Sequence, residues 1–420
     1  LWVPALLYEP EKLDEKTPAV LNVNGHVGPP GKAIDYKQIR CINLAKRGIL
    51  ALNPEWLYFG ELRSSGFMHN QSGHLDLCGT AGIGVFYLAM QRGLDVLMDH
   101  ANTDPERVAV TGAAGLIGSA VVRHLSQHNN VEVVAFDSPG TQDLVPGSQV
   151  SLEHVDVADP RMVEILESIQ PQAVVHAAAH PGGKSLREPI EDVRVNALGS
   201  MQIFHWCGKA GSHVVFLSSS NVYGEQTENK IPETAALKPG TIYGACKVAC
   251  EQWLRIFGQG LGLSWTVLRP FATYGPGHRP SLDQGIVNVL LTQLLKGDRI
   301  IVKGSLMRRH DLTYVEDMAS TIVQMLFCKA AIGRVFNIGS GVAVTIKDII
   351  KLLCDALDKP ISGIEIIEET GTVGDPFSNV ADITQIKKIL NFKPKFGLEA
   401  GLKELIAQRM MSKGEAMDLK

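Results

Sequence analysis

The stretch RVAVTGAAGLIGSAVVRHL, residues 107–125, constrains the fold of this chain more than any other part. An apolar strand, VAVTG, runs into a glycine-rich turn that leads straight into an apolar helix. Gly112, Gly115 and Gly118 have the spacing G-x-x-G-x-x-G. Glycine lets the backbone turn tightly and approach a pyrophosphate, whose negative charge is stabilised at the N-terminus of a helix. The stretch therefore predicts a strand–turn–helix unit that binds a dinucleotide.

The residues that follow alternate between strand and helix patterns. After the first helix, SAVVRHLSQH, come the strands VEVVAFD and SLEHVDV, the helix RMVEILESI, and the strands AVVHAAA and HVVFLSSS. Alternation of this kind is typical of an α/β protein with a doubly wound parallel sheet. We therefore expect a Rossmann-type α/β fold from residue 107 onward.

The end of the second strand indicates which dinucleotide binds. Asp137 lies 19 residues after Gly118, where a carboxylate can accept hydrogen bonds from ribose hydroxyls. Ser138 follows it where an arginine would be needed to receive a 2′-phosphate. The sequence therefore predicts NAD rather than NADP as the cofactor.

A tyrosine and a lysine further along the chain predict acid/base chemistry. The segment TIYGACKVACEQW places Tyr243 and Lys247 four residues apart, on one face of a helix. A free tyrosine titrates near pH ~10, so a base that works near pH 7 needs a pKa lower by about 3 units. A neighbouring ammonium favours the phenolate and lowers that pKa. Hydroxyl side chains that end a predicted strand, in LSSSNVYG, precede the pair in the sequence.

From about residue 107 to residue 410 the chain resembles an extended short-chain dehydrogenase/reductase of the NAD-dependent epimerase/dehydratase family. The glycine turn and the segments HAAA, SSSNVYG, YGACK, LRPFATYGPG, HDLTYVEDMA and FNIGSG occur in the order of that family. The resemblance implies a family domain over residues 107–420. Its NAD-binding core would cover about residues 107–270, and a smaller substrate-binding part would lie mainly over residues 271–410.

The resemblance also implies a set of residues that hold NAD. These would be Gly112, Gly115, Leu116, Ile117, Gly118, Asp137, Asp156, Val157, Ala177 and Ala178, together with Tyr243 and Lys247. Asp156 would contact the adenine. Asn196 would help to hold the helix that carries the active site.

The catalytic residues implied by the resemblance are Ser219, Tyr243 and Lys247. Tyr243 would be the acid/base, and Lys247 would bind the nicotinamide ribose and lower the pKa of the tyrosine. Ser219 would bond the reacting sugar oxygen, with Ser220 as the rival for that role.

A nucleotide-sugar is the implied substrate. It would be bound by Ser219, Ser220, Asn221 and, at its phosphates, Arg309. Two residues depart from the family pattern, because Ala272 stands where asparagine is common and His310 stands where arginine is common. Both departures bear on which substrate binds and leave the redox chemistry untouched.

The reaction type can be narrowed by comparison with sugar 4,6-dehydratases of the same family. Those enzymes carry an Asp-Glu pair after the active-site hydroxyl, whereas Ser220 and Asn221 stand here, and neither can act as a general acid or base. Elimination is therefore disfavoured, and an NAD-dependent epimerase acting at C4 is the leading interpretation. The alternatives are a dehydrogenase or reductase on the same scaffold and a non-catalytic dinucleotide-binding regulator.

Residues 1–106 resemble the first half of an α/β-hydrolase of the acetyl xylan esterase type. In such a hydrolase VAVTG would lead into a nucleophile elbow, G-x-S-x-G, but Ala114 stands where the serine is required. A strand at 108–112 can pair with only two neighbours, so it cannot serve two sheets. We therefore expect a partial, non-catalytic segment whose strands near 18–24 and 48–53 expose an edge, and a fusion joined at RVAVTG.

Composition excludes several function classes. The net charge of −4 gives no reason to expect a nucleic-acid or anionic-membrane partner, and no apolar run reaches the ~18 residues of a membrane span. Seven cysteines without a C-x-x-C pair favour reduced thiols in the cytoplasm. The histidines lack metal-ligand spacing, so no metal is expected. Relatives dimerise through the helices near 190–208 and 243–257, which implies a homodimer.

Overall fold

The computed structural model describes residues 5–11, 19–22, 35–54, 96, 106–128, 130–141 and 150–418, with backbone alone for 35–37 and 412–418. The chain forms two compact units, one of residues 1–106 with 128–132 and the other of residues 107–127 with 133–420. The NGH segment that the hydrolase-like interpretation would place at an oxyanion hole lies outside the described residues. No helix in the described ranges is long and apolar enough to cross a membrane.

In the first unit, three strands form a small sheet in the order β1–β3–β2. They are β1 (Ala5–Tyr8), β2 (Ala19–Leu21) and β3 (Leu50–Pro54), and helix α1 (Asp35–Ala45) lies between β2 and β3 in sequence. The prediction that the strand near 48–53 exposes an edge is wrong, because β3 pairs with β1 on one side and β2 on the other and is buried along its whole length. Among the described strands, β1 and β2 are the edges. The hydrolase-like origin of this segment stays a prediction.

The second unit is built on a seven-stranded parallel sheet with the order β13–β9–β8–β7–β4–β5–β6. Its strands are β4 (Glu106–Thr111), β5 (Val131–Asp137), β6 (Val150–His154), β7 (Ala173–His176), β8 (His213–Leu217), β9 (Trp265–Pro270) and β13 (Arg334–Ile338). The predicted doubly wound α/β fold is confirmed. Chain order reverses between β4 and β7, and ligands of such sheets bind at the carboxyl ends of the strands beside this point.

The helices of this unit are α2 (Leu116–Leu125), α3 (Arg161–Ile169), α4 (Pro189–Asp192), α5 (Ser200–Ala210), α6 (Ile242–Leu261), α7 (Ile286–Leu294), α8 (Val315–Leu326), α9 (Ile346–Ala356), α10 (Thr384–Leu390) and α11 (Leu398–Asp418). A π-helical segment, Val193–Gly199, joins α4 to α5. The side chains that these helices bury form the core on the sheet. Phe204 of α5, for example, packs edge-to-face on Phe216 of β8 with ring centroids 5.2 Å apart.

A second, smaller core supports the carboxyl-terminal part of the unit. Strands β10 (Ala272–Tyr274), β12 (Arg309–Tyr314) and β14 (Ala343–Thr345) form one sheet, in which β16 (Ser378–Asn379) also pairs with β12. Strands β11 (Arg299–Lys303) and β15 (Glu365–Glu369) form another. Helices α7, α9 and α11 bury apolar side chains against these strands.

Candidate active site

The glycine turn after β4 is packed too tightly for a side chain at Gly112 or Gly118. A Cβ on Gly118 would lie 2.0 Å from Gly112 O, and a Cβ on Gly112 would lie 2.6 Å from Ala178 N. Gly112 also has a φ of +67°, in the left-handed region that favours glycine. The turn is therefore pressed against the residues that follow β7, where Ala177 and Ala178 were predicted to line the cofactor site.

The turn leads into a helix terminus that no side chain caps. Gly115 precedes α2 without a side-chain cap and is exposed, and Leu116 and Ile117 begin the helix half-buried. The first N–H groups of a helix have no partner within the helix, and the helix dipole favours an anion beside them. A close glycine backbone beside free N–H donors fits the pyrophosphate of NAD.

Asp137 stands at the end of β5 and faces the glycine turn. Its Oδ2 accepts a hydrogen bond of 2.7 Å from Ala114 N, and its Oδ1 accepts one of 2.8 Å from Ser138 N. The carboxylate remains half-exposed, so it has lone pairs left for a ribose hydroxyl. Position and chemistry thus fit the role predicted for Asp137.

Asp156 has a protein partner that the sequence reading missed. Its carboxylate accepts hydrogen bonds of 2.6 and 3.0 Å from the guanidinium of Arg194, and this contact lowers the pKa of Asp156. Arg194 is also paired with Glu191. Val157 is buried beside Gly199, where a Cβ would lie 2.8 Å from Val157 Cγ2. A contact of Asp156 with the adenine stays a prediction.

Helix α6 is held at its start by two hydroxyls. Thr241 caps it by accepting a hydrogen bond from Gly244 N, and Ser185 Oγ accepts one of 2.9 Å from Tyr243 N. The loop that carries Ser185 also passes the tyrosine ring, since a Cβ on Gly182 would lie 3.3 Å from Tyr243 Cδ1. The first turn of α6 is thereby fixed at the carboxyl edge of the sheet.

Lys247 lies one turn after Tyr243 and is 1% exposed. Its Nζ donates a hydrogen bond of 2.9 Å to Leu217 O and lies 5.7 Å from the centre of the Tyr243 ring. Burial lowers the pKa of Lys247 to about 8, so the ammonium is charged at pH 7. The lysine therefore presents a positive charge beside the tyrosine, as the i, i+4 spacing predicts.

The environment of Tyr243 differs from the sequence expectation in one respect. Burial raises the pKa of Tyr243 to about 12, and the hydrogen bond to the Ser219 hydroxyl opposes that rise only in part. Without a further positive charge, the tyrosine holds its proton at neutral pH. A nicotinamide ring bound beside Tyr243 would add positive charge that favours the phenolate.

Ser219 and Ser220 are the two candidates predicted to bond the reacting sugar oxygen, and they contact different residues. Ser219 Oγ caps a short helical turn by accepting a hydrogen bond from Asn221 N, and the Ser219 hydroxyl acts to lower the pKa of Tyr243. Ser220 is buried, and its Oγ accepts a hydrogen bond of 2.8 Å from Asn379 Nδ2. The structure thus brings Ser219, Tyr243 and Lys247 together and turns Ser220 towards β16.

A buried ion-pair network surrounds this site, and the sequence reading did not find it. It consists of Ser218, Tyr223, Glu251, Arg269 and Asn337. Arg269 donates hydrogen bonds of 2.9 and 2.6 Å to the two carboxylate oxygens of Glu251, while Ser218 donates one of 2.6 Å to Glu251. Arg269 also donates to Tyr223 Oη, which donates to Asn337 Oδ1. The network joins α6 to the ends of β8, β9 and β13.

One signal for this network was present in the sequence. Tyr223, Arg269 and Asn337 belong to the segments SSSNVYG, LRPFATYGPG and FNIGSG, which carry the family resemblance. Glu251 lies four residues after Lys247, on the same face of α6. The sequence does not show that these four side chains, of Tyr223, Arg269, Asn337 and Glu251, meet in one place.

Asn196 is hydrogen-bonded to two neighbouring segments, the loop after β7 and helix α6. Its side chain accepts a hydrogen bond from His180 N and donates to Asp192 Oδ1, which fixes the loop after β7. Its backbone oxygen accepts from Cys250 Sγ of α6 at 3.1 Å. The contact with α6 agrees with the role that the resemblance implies, although it is made by the backbone.

Arg309 and His310 lie next to each other on β12. In register with β16, Arg309 is opposite Ser378 and His310 is opposite Asn379. Because side chains alternate along a strand, Arg309 points to the face opposite His310. Asn379 bonds Ser220, so His310 shares the face nearest the catalytic hydroxyls and Arg309 does not. A phosphate contact for Arg309 stays a prediction.

Asp311, which follows His310, is structural. It is fully buried and accepts hydrogen bonds from Ser340 N, Ser340 Oγ, Gly341 N and Ala381 N. Burial raises its pKa, and these hydrogen bonds oppose the rise. Asp311 thereby holds two loops against β12.

Comparison with known families and proteins agrees with this geometry. The model of the NAD dependent epimerase/dehydratase family matches residues 108–339. A dTDP-glucose 4,6-dehydratase of Salmonella typhimurium is 26% identical over 334 residues, which cover 71% of this chain and 91% of that protein.

Two solved structures show the same fold. A UDP-glucose 4-epimerase of Thermotoga maritima, solved with UDP-glucose, is 29% identical with a TM-score of 0.68; the match covers 73% of this chain and 99% of that one. A UDP-glucose 4-epimerase of Thermus thermophilus, solved with NAD, is 29% identical with a TM-score of 0.66, over 72% of this chain and 98% of that one.

Proposed function

The chain belongs to the NAD-dependent epimerase/dehydratase family and has NAD as its cofactor, and from this premise we propose that it is a nucleotide-sugar 4-epimerase. The observation that carries the proposal is the meeting of Ser219, Tyr243 and Lys247 at the carboxyl edge of the sheet, beside the glycine turn. The epimerases of known structure that resemble the chain support the same reaction.

Different residues of the chain would bind different parts of NAD. The glycine turn and the start of α2 would bind the pyrophosphate, Asp137 the adenosine ribose, and Lys247 the nicotinamide ribose. When bound, NAD would supply a reversible hydride acceptor beside the sugar carbon, and a hydride returned to the other face would invert that carbon.

Tyr243 moves the proton that accompanies this exchange. Its phenol oxygen takes the proton of the C4 hydroxyl and gives it back to the same oxygen after inversion. Ser219 bonds the reacting oxygen and orients it towards Tyr243. The ammonium of Lys247, whose Nζ lies 5.7 Å from the centre of the Tyr243 ring, would favour the phenolate and oppose the effect of burial on the tyrosine.

Two residues support inversion over elimination. Ser220 is engaged with Asn379, and Asn221 carries an amide, so neither offers a group that can remove a proton from carbon. A dehydratase would need such a group beside Ser219. We therefore expect no 4,6-dehydration of dTDP-glucose, although a dehydratase is among the relatives.

The proposal is tested by incubating the full chain with UDP-glucose, UDP-N-acetylglucosamine and dTDP-glucose and following the C4 epimer by proton NMR. We expect inversion of at least one of them, with near-stoichiometric NAD released when the purified protein is denatured. Tyr243→Phe should lower kcat by about 10²–10⁴-fold and leave the NAD content unchanged. Full activity of that variant, or net consumption of added NAD, would count against an epimerase.

We also propose a homodimer formed through α4–α5 and α6. Large apolar side chains stand exposed on these segments, Ile190 at 80%, Leu198 at 55% and Ile256 at 59%. Burying such a patch against a second copy removes apolar surface from water. Light scattering after gel filtration should give twice the chain mass, and Leu198→Asp should halve it. A wild-type protein of single mass would contradict the proposal.

For localisation we propose the cytoplasm. Five of the described cysteines carry free thiols, namely Cys207, Cys246, Cys250, Cys328 and Cys354, and four of them are buried. Thiols persist in a reducing compartment, whereas an oxidising one favours disulfides. Titration of the unfolded protein, purified without reductant, should give seven thiols per chain.

A further inference from the structure

Three side chains on neighbouring strands form a row beneath the helix that carries Tyr243. Thr111 of β4, His176 of β7 and Phe216 of β8 are opposite one another in register. Residues in register on adjacent strands share a face of the sheet, and all three are fully buried. Phe216 packs in the core that α5 and α6 cover, so its ring lies on the side of the sheet from which α6 approaches.

Lys247 of α6 lies over the ring of Phe216. Its Nζ is 4.7 Å from the centre of that ring, within the ~6 Å over which an aromatic face attracts a cation. The hydrogen bond from Nζ to Leu217 O, the residue after Phe216, holds the ammonium at this place. Lys247 is almost fully buried, so water screens the attraction little. The ring face therefore stabilises the charged form of the lysine.

Two aromatic neighbours fix the orientation of the Phe216 ring. The imidazole of His176 is stacked on it, with ring centroids 5.7 Å apart and planes at 25°, and Phe204 meets it edge-to-face at 5.2 Å. His176 is itself held at both nitrogens, since Nδ1 is 2.7 Å from Thr111 Oγ1 and Nε2 is 2.9 Å from Ser200 Oγ. A ring fixed in this way keeps its face towards the lysine.

His176 does not oppose the lysine, because its ring is uncharged. Burial, followed by the charge of Lys247, lowers the pKa of His176 to about 3. Ser200 Oγ donates to Asn196 O at 2.7 Å, so Nε2 of the neutral ring donates to Ser200 Oγ and Nδ1 accepts from Thr111. The hydrogen bonds of the row thus fit a neutral imidazole beside the Phe216 ring.

The other titratable and charged groups around Lys247 come from its own helix and from the elements packed against it. They are Asp192 of α4, His176 of β7, Arg269 of β9 and, on α6 itself, Tyr243, Cys246, Cys250 and Glu251. Burial raises the pKa of Cys246 to about 12 and that of Cys250 to about 11, so neither thiol is charged near pH 8. Glu251 is paired with Arg269. A substitution at Phe216 leaves all of these groups in the chain.

We propose that Phe216 is a positioning residue for Lys247, and that its ring face holds the ammonium beside Tyr243 and favours its charged form. Phe216 acts through the lysine rather than on the substrate. Its bearing on catalysis rests on the proposed function, in which the charge of Lys247 favours the phenolate of Tyr243.

The test titrates Lys247 directly in the full-length protein, with the same saturating concentration of NAD for every variant. Lysine labelled with ¹³C at Cε gives NMR signals whose chemical shifts follow protonation, and the signal that is lost in Lys247→Met identifies Lys247. Phe216→Leu keeps an apolar side chain and removes the ring face. We expect it to lower the pKa of Lys247 by about 1, the size of a cation–π contact shielded from water.

Phe204→Leu is the matched control. Phe204 is as fully buried as Phe216 and packs on the same two rings, those of Phe216 and His176. Its replacement removes an equal ring from the same core but leaves Phe216 under the lysine. It should lower the melting temperature about as much as Phe216→Leu does and leave the pKa of Lys247 unchanged.

Fluorinated phenylalanines at position 216 test the same contact while keeping the shape of the side chain, should Phe216→Leu fail to fold. Each fluorine withdraws electron density from the ring face, which weakens its attraction for a cation. The pKa of Lys247 should therefore fall stepwise from phenylalanine through the monofluoro and difluoro analogues to the trifluoro analogue.

The outcomes separate this inference from the proposed function. A pKa of Lys247 that Phe216→Leu leaves unchanged or raises, an equal fall in both leucine variants, or no trend along the fluorinated series would each overturn it. None of these measurements depends on turnover. If the titrations agree with expectation but no sugar nucleotide is inverted, the contact between Phe216 and Lys247 stands and the proposed reaction fails.

Discussion

The buried ion-pair network around Glu251 and the pair formed by His310 of β12 and Asn379 of β16 differ in how fully their polar atoms are hydrogen-bonded. Glu251 and Arg269 share two hydrogen bonds, and further bonds extend to Tyr223 and Asn337. In the second pair, His310 Nε2 and Asn379 Oδ1 have no hydrogen-bond partner within the described residues. The chain itself therefore satisfies the polar groups around Glu251, whereas it leaves an atom of His310 and an atom of Asn379 unpaired.

The largest effect on stability is expected when the buried ion-pair network loses its cation. Arg269→Met leaves the Glu251 carboxylate buried without its cation, because both side chains are almost fully buried. We expect the free energy of unfolding to fall by about 3–5 kcal/mol. Urea denaturation of the two proteins measures the difference.

The matched control for that change removes both charges. In the double variant Arg269→Met/Glu251→Leu no buried charge is stranded, so most of the lost stability should return. Equal losses in the single and the double variant would mean that packing, not charge balance, gives the network its effect.

A smaller effect is expected at Lys247, the buried cation between the network and the substrate. Burial holds its pKa at about 8 in the folded chain, below its ordinary value of 10.5. Between these pH values the unfolded chain keeps a proton that the folded chain has released. The contribution of Lys247 to the free energy of unfolding therefore rises as the pH rises from about 8 to 10.5.

Lys247→Met isolates that contribution, since it removes the titrating group and keeps an unbranched apolar stem. Urea denaturation at both ends of this pH window should show the wild type gaining stability relative to the variant. A difference between the two proteins that does not change with pH would contradict the shifted pKa.

The smallest effect should come from Ser378, the neighbour of Asn379 on β16. Ser378→Ala removes a buried hydroxyl that has no partner among the described residues. Because an unpaired hydroxyl is costly to bury, we expect the free energy of unfolding to rise by about 1 kcal/mol. A loss of stability would mean that Ser378 has a partner, such as an ordered water.

Much of the catalytic frame could be predicted from the sequence because its signals are local. The glycine spacing, the acid after the second strand and the Tyr243–Lys247 pair each depend on residues that are close in the chain. The parallel α/β fold followed from the alternation of strands and helices, and the structure confirms it. The raised pKa of Tyr243 was not foreseen, since burial depends on the whole fold.

By itself, the sequence determined the fold class, the family and the cofactor, because a turn or a helical face is specified by neighbouring residues. Only the tertiary structure decided that Ser219 rather than Ser220 meets Tyr243, and that Arg194 engages Asp156. It also decided that His310, not Arg309, faces the catalytic hydroxyls. These pairs join residues from distant parts of the chain, and strand register, which no local pattern encodes, sets which side chains meet.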